Sequence, residues 1–440
     1  MSVIVARASG AGRSAVAWVR LSGEGLSVVR DAVLRPRGDT PWRSRVQRRV
    51  DLVHRGEVFD DGLATWVRGP NTATGEDCLE VGLHGNPLLV DRCIAACLDA
   101  GARLARPGEF TRRGVEHGKL DLLQAEGIDQ LIRARTADGL VVARQGVAGP
   151  LSAWTAALRA SLLAAAAELE ARLDYPDDEL ALCDDDALRA QLRDDARRCT
   201  ELARTHAAGR VRVQGARVAL VGPVNAGKSS LFNALLGRPR ALVHDTPGTT
   251  RDVVEATVVL HGQEITLLDT AGERVTDDPV EAAGLALAQQ LVAEADLLVI
   301  VLRDGPDDPV EADILARTSA MPRLVVVNQI DRPERPAVAH ALGTSATTGQ
   351  GVDALGQAIA DALTGSVRDD ALQIASERQA DRMQAVARLA EEAADCLATA
   401  GPAVAADAVV EALGVIDELT GADTREDVLS ELFSRFCIGK

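Results

Sequence analysis

The 440 residues carry 48 Lys and Arg against 65 Asp and Glu, a formal charge of −17. That balance excludes general adhesion to nucleic acid or anionic lipid and leaves room only for a local basic patch. With 47% apolar and 26% charged residues the chain is globular rather than disordered, and its length asks for about three domains. Four Trp, one Tyr and five Phe are few for such a length, so the cores must rest on Ala, Val, Leu and Ile.

Residues 1–117 mix short runs suited to strands, 16–21, 62–67 and 78–83, with one helical pattern over 88–100. Gly and Pro punctuate them in GPN (69–71) and RPGEF (106–110), which predicts a compact α+β domain. Cys93 and Cys97, one helical turn apart, read as small buried apolar residues. The seven cysteines show no CxxC spacing, so they form no disulfide framework and suit a reducing compartment. From Lys119 apolar residues recur every three or four positions in DLLQAEGIDQLIRAR (121–135) and LRASLLAAAAELEARL (158–173), the pattern of long amphipathic helices.

Near Gly209 the texture changes again. RVALV (217–221) opens a series of strand-like runs at 264–268, 297–302 and 324–327 that alternate with helical stretches, which predicts a doubly wound, mainly parallel sheet. After about 370 the helical texture returns and runs to the end. The expected organisation is an N-terminal α+β domain over 1–117, the first half of an all-α helical domain over 118–209, an inserted α/β domain over 210–370 and the second helical half over 371–440. No charged, apolar leader opens the sequence, and the longest apolar stretches contain charges, as 153–167 contains Arg159. A cytoplasmic chain without a membrane partner is therefore expected.

RVALV runs into GPVNAGKSS (222–230) and a helix-like LFNALLG, the strand–loop–helix context of a phosphate-binding loop. Gly222 and Gly227 let the backbone wrap phosphates. The amides from Asn225 through Ala226, Gly227, Lys228, Ser229 and Ser230 and the helix N-terminus stabilise negative charge. Lys228 reaches the terminal phosphates, and Ser229 is placed to ligate Mg²⁺. Thr250, in PGTTRD, is expected to close over Mg²⁺ and the γ-phosphate, while LLDTAG puts Asp269 near the metal, followed by Thr270, Ala271 and the hinge amide of Gly272. Asn328 and Asp331 of NQID follow an apolar strand, and an aspartate accepts both the ring N–H and the exocyclic amine of guanine, a donor pair adenine lacks. Ser345, Ala346 and Thr347 of TSAT offer backbone contacts to the guanine oxygen. The nucleotide is therefore GTP. Gln329 stands where GTPases usually carry lysine, and Glu273 where small Ras-like GTPases place a water-orienting glutamine.

These motifs, with VRLSG (19–23), GPNTATGEDCLE (69–80), RPGEFTRRG (106–114), KLDLLQAEGIDQLI (119–132), LDYPDDE (173–179) and a terminal FCIGK (436–440), give the chain nearly full-length resemblance to the tRNA uridine carboxymethylaminomethyl modification GTPases. The resemblance implies a folate-binding-like N-terminal domain through which the protein forms homodimers. It also implies a G domain carried on a helical domain, and action on the wobble uridine of tRNA with an FAD-dependent partner of the MnmG type and a tetrahydrofolate derivative, 5-formyl or methylene. It further implies a K⁺ ion held by Asn225 and by the loop His244, Asp245, Thr246, Pro247, Gly248 and Thr249, with His244, Thr246 and Thr249 as ligands. Such a cation neutralises charge as an arginine finger does. Glu281 matches the glutamate that positions or activates water, with Glu273 as a competing candidate. Arg20, Glu80, Lys119 and Lys440 match the folate contacts, and FCIGK is expected to return to that pocket. A GTP-switched RNA or ribosome assembly factor would share the phosphate loop and NQID but has no need of this folate set.

Overall fold

The computed structural model describes residues 2–39, 41–174, 183–237, 254–269, 292–332, 338, 340–365, 371–423 and 426–439. The chain forms two compact units. One comprises Met1–Asp129, Ser152–Ala160 and Val410–Lys440, the other Gln130–Leu151 and Ser161–Val409.

The first unit is built on a seven-stranded sheet of β1 (Ile4–Arg7), β2 (Val16–Ser22), β3 (Leu34–Pro36), β4 (Gln47–His54), β5 (Glu57–Val67), β6 (Cys78–His84) and β7 (Arg103–Leu104), in the order β3-β4-β5-β6-β2-β1-β7. Every pairing is antiparallel except β1 with β7. Strand alternation sends Val5, Val19, Leu79 and Val81 to one face, where they pack with the helices Leu26–Val33 and Pro87–Asp99. The second of these helices was expected, and Cys93 and Cys97 are buried on its inner side. The first was not, because LSVVRDAV is rich in β-branched residues. Its Leu26, Val29, Arg30 and Val33 nonetheless fall at helical spacing and are buried together, so tertiary packing overrides propensity. On the opposite face Ile4 and Ala6 meet Ala105 and Phe110, the latter on the helix Glu109–Glu116.

The second unit holds a six-stranded sheet, β8 (Ala216–Val221), β9 (Val254–Leu260), β10 (Gln263–Asp269), β11 (Leu297–Leu302), β12 (Arg323–Val327) and β13 (Leu342–Gly343), in the order β13-β12-β11-β8-β10-β9. All pairs are parallel except the edge strand β9. Helices Lys228–Leu236 and Val352–Thr364 cover one face and Pro309–Arg317 the other, which makes the sheet doubly wound, as the alternating runs predict. In the same unit Glu377–Thr399 packs along Asp185–Arg204 through alanines such as Ala390, Ala393 and Ala394, which let the two backbones approach closely. Among the described residues no helix is long and apolar enough to cross a membrane.

Candidate functional site

After β8 the chain continues to one side through β10 and to the other through β11 and β12, so residues 222–227 leave the sheet where the winding reverses. In open α/β sheets that is where ligands bind. Gly227 is the left-handed cap (φ 89°) from which the helix Lys228–Leu236 starts, and a Cβ there would lie 2.3 Å from Asn328 Nδ2. Asn225 is also left-handed (φ 63°), a conformation asparagine tolerates. Lys228 is buried, and its Nζ donates to the carbonyls of Gly222 and Pro223, both at 2.9 Å. Ser229 and Ser230 are exposed in the first turn of the helix.

The NQID segment is tied directly to this loop. Buried Asn328 donates through Nδ2 to Ala226 O at 3.0 Å and Gly227 O at 3.4 Å, while its Oδ1 accepts from Thr344 Oγ1 and the Ala346 amide, both at 3.3 Å. Gln329, itself left-handed (φ 63°), reaches Asn225 O through Nε2 at 3.2 Å. Two neighbouring side chains therefore grip three consecutive carbonyls of the phosphate loop. The lysine usual at this position packs beside the base and the phosphate loop, and Gln329 keeps a contact with that loop through its amide, which the one-letter departure in NQID does not reveal. Asp331 and Thr347 are exposed, and Ser345 is fully buried.

Asp269 ends β10 directly beside Leu220 of β8, and its Oδ1 is buried without a hydrogen-bond partner among the described residues. A buried, unpartnered carboxylate oxygen at the end of the strand beside β8 and the exposed Ser229 hydroxyl at the start of the helix after the phosphate loop are hard-oxygen donors of the kind Mg²⁺ takes. The Asn225 side-chain amide makes no hydrogen bond among the described residues and is exposed, which fits a monovalent-cation ligand. His244, Asp245, Thr246, Pro247, Gly248, Thr249, Thr250, Thr270, Ala271, Gly272, Glu273 and Glu281 lie outside the described residues, as does Lys440.

The first unit carries the second group. Arg20 and Glu80 face each other across β2 and β6, with Nε and Nη2 of Arg20 3.1 and 2.7 Å from Glu80 Oε1. The Arg20 guanidinium stands 6.0 Å over the Phe110 ring. The two residues thus share a face but are already paired, and Glu80 Oε2 accepts no hydrogen bond among the described residues. Lys119 is exposed and makes no hydrogen bond or ion pair with either of them. The tail returns to this unit: the Gly108 amide donates to Cys437 O at 3.3 Å, and a Cβ on Gly439 would sit 2.1 Å from Arg7 O.

RPGEFTRRG proves to be a buried ionic knot. Glu109 is bound by Arg103, by the Arg106 amide at 2.8 Å and by Arg113 at 3.1 Å, and Arg113 also reaches Glu76 at 2.7 Å. Burial opposes ionisation of Glu109, yet these donors outweigh it and hold its carboxyl below the ordinary 4.5, at about 2. Arg113 and Glu76 were missed by sequence reading, because their partners lie far apart along the chain.

A family model described as the MnmE helical domain matches residues 122–437, and one described as the N-terminus of the GTP-binding protein TrmE matches residues 3–119. A curated tRNA modification GTPase MnmE of Synechococcus sp. (strain JA-3-3Ab) is 36% identical over 97% of this chain and 95% of its own length. The protein of that name in Synechococcus sp. (strain WH7803) is 39% identical over 99% and 97%. Among solved structures, Era of Aquifex aeolicus bound to GDP and aluminium fluoride is 26% identical, at a TM-score of 0.28, over 40% of this chain and 67% of that one.

Proposed function

The chain belongs to the family of tRNA modification GTPases, MnmE or TrmE, and on that premise we propose that it hydrolyses GTP in the service of tRNA modification. The observation that carries this reading is the joint grip of Asn328 and Gln329 on the phosphate loop, which makes base recognition and phosphate binding one rigid assembly. In the proposed mechanism Asp331 selects guanine, aided by Ser345, Ala346 and Thr347. Lys228 releases the Gly222 and Pro223 carbonyls and turns to the terminal phosphates. Mg²⁺ at Ser229 and Thr250, near Asp269, and K⁺ at Asn225, His244, Thr246 and Thr249 would neutralise charge developing on the phosphates. Glu281 orients water, with Glu273 competing for that role.

In the finer reading, the protein is a cytoplasmic homodimer with a folate-binding, dimerising domain over 1–117. It acts with an FAD-dependent partner to install a carboxymethylaminomethyl group on the wobble uridine, using a tetrahydrofolate one-carbon unit. Arg20 and Glu80 suit that ligand if their mutual pair opens: Glu80 accepts from an amino-pyrimidine edge and Arg20 binds a carboxylate, with Lys119 and Lys440 adding charge.

Steady-state GTP hydrolysis by the purified chain in KCl and in NaCl at equal ionic strength tests the mechanism. Stimulation by K⁺ that is lost in Asn225→Ala is expected. Equal rates in the two salts would reject the K⁺ role, and absence of hydrolysis in both would reject the GTPase reading itself.

A further inference from the structure

The chain carries −17 overall, yet RPRGDTPWRSRVQRR (35–49) holds six arginines and one aspartate. The structure separates the spent charges from the unspent ones. Arg37 is paired with Asp51 at 2.6 Å and Arg49 with Asp61 at 2.9 Å. Arg43, Arg45, Arg48 and Arg68 have no carboxylate partner among the described residues. Bonds along these segments place them at one end of the sheet: the Val46 amide donates to Arg43 O, the Arg45 amide to Trp66 O, the Arg68 amide to Ser44 Oγ, the Arg45 guanidinium to Asn71 O and Arg48 Nη2 to Gly38 O. Half-buried Trp42 is anchored beneath them, with the guanidinium of Arg48 5.4 Å and that of Arg30 4.9 Å from its ring.

We propose that this β3–β5 end of the first unit is the surface that grips the phosphate backbone of tRNA. The proposal rests on the tRNA reading above and adds the place of contact. Charge complementarity selects the partner: four uncompensated guanidiniums, which are poorly hydrated and fork-shaped, suit phosphodiesters, and an otherwise acidic chain repels the same polyanion elsewhere. In register, Arg20 faces Glu80, Glu80 faces Thr65 and Thr65 faces Gln47, so the strand carrying Arg48 begins three strand spacings, roughly 14 Å, from Arg20, while Arg48 itself lies in the row of Ala64, Val81 and Val19 on the helix-covered face.

The test is binding of an unmodified tRNA transcript, titrated over a range of KCl concentrations, to the full chain and to Arg43→Gln/Arg68→Gln. The side chains of Arg43 and Arg68 make no hydrogen bond or ion pair among the described residues, so folding is not at issue. Sedimentation and GTP hydrolysis, measured in parallel, are expected to be unchanged. The double variant should bind on the order of tenfold or more weakly at about 0.1 M salt. Its log–log salt slope should be shallower by roughly 1.5, the release of about two phosphates' counterions. Wild-type binding with an equal affinity and slope in the variant overturns this surface while the tRNA reading stands, and assigns the face to another acidic partner. No tRNA binding by the wild type even at low salt overturns the tRNA reading, and this surface with it.

Discussion

Glu109 shows how much one buried side chain organises. It neutralises Arg103 and Arg113 at once, and Arg113 in turn crosses to Glu76 and to the Ser2 carbonyl at 3.1 Å, joining the helix Glu109–Glu116 to the start of the chain. Because the folded carboxyl ionises near 2 and the unfolded one near 4.5, its stabilising contribution is fully present above about pH 4.5. It is lost as pH falls toward 2. Glu109→Gln keeps the shape but leaves Arg113 short of a charge, which should cost about 3 kcal/mol at neutral pH. Urea denaturation at pH 7 and at pH 3 checks both points: the variant should be weaker at pH 7 and lose less stability on acidification than the wild type. An equal loss in both proteins would show that Glu109 does not carry the acid sensitivity.

At the scale of elements, the C-terminal helix Glu426–Ser434 and the residues after it are fixed by two aromatic rings. Phe433 and Phe436, centroids 4.9 Å apart, pack with Leu122, Ala125 and Leu429, and a Cβ on Gly108 would come within 2.9 Å of both phenylalanines. The return of the tail was legible because apolar residues at a terminus need burial, and Phe433 and Phe436 are buried; Ile438, expected as a second anchor within FCIGK, is instead exposed. The surface receiving the two rings was not legible, since Gly108 lies more than 300 residues earlier and only the folded chain joins them. Phosphate loop and sheet winding were legible for the opposite reason: their signals are local, a strand running into GPVNAGKSS and apolar runs of strand length. The helix Leu26–Val33 and the Arg20–Glu80 pair escaped because packing and strand register decide them. Phe436→Ala should cost about 3 kcal/mol of the first unit's stability. Deleting 438–440 removes the Gly439 contact with Arg7 and should abolish binding of a reduced folate, read by calorimetry, while GTP hydrolysis persists. Retained folate affinity would reject the tail's place in that pocket.

For the whole molecule, the two candidate sites fall in different compact units, each assembled from separated stretches of sequence. Arg20, Glu80 and the tail belong to the unit of Met1–Asp129, Ser152–Ala160 and Val410–Lys440; the phosphate loop and NQID belong to the other. Sequence texture marks where strands give way to helices, but not which helix joins which core, because an amphipathic stripe does not name its partner. A ligand that binds one folded unit stabilises that unit by mass action, about 2.7 kcal/mol at a hundredfold excess over its Kd, and so raises its melting temperature by on the order of 5 °C or more. Differential scanning calorimetry of the intact chain should therefore show two transitions. GTP analogue with Mg²⁺ should move only the one belonging to Gln130–Leu151 and Ser161–Val409, and a reduced folate only the other. Asn328→Ala should cancel the first response and leave the second, whereas Glu80→Ala should do the reverse. A single transition moved by either ligand would mean that the units melt cooperatively, so that binding at one site stabilises the other.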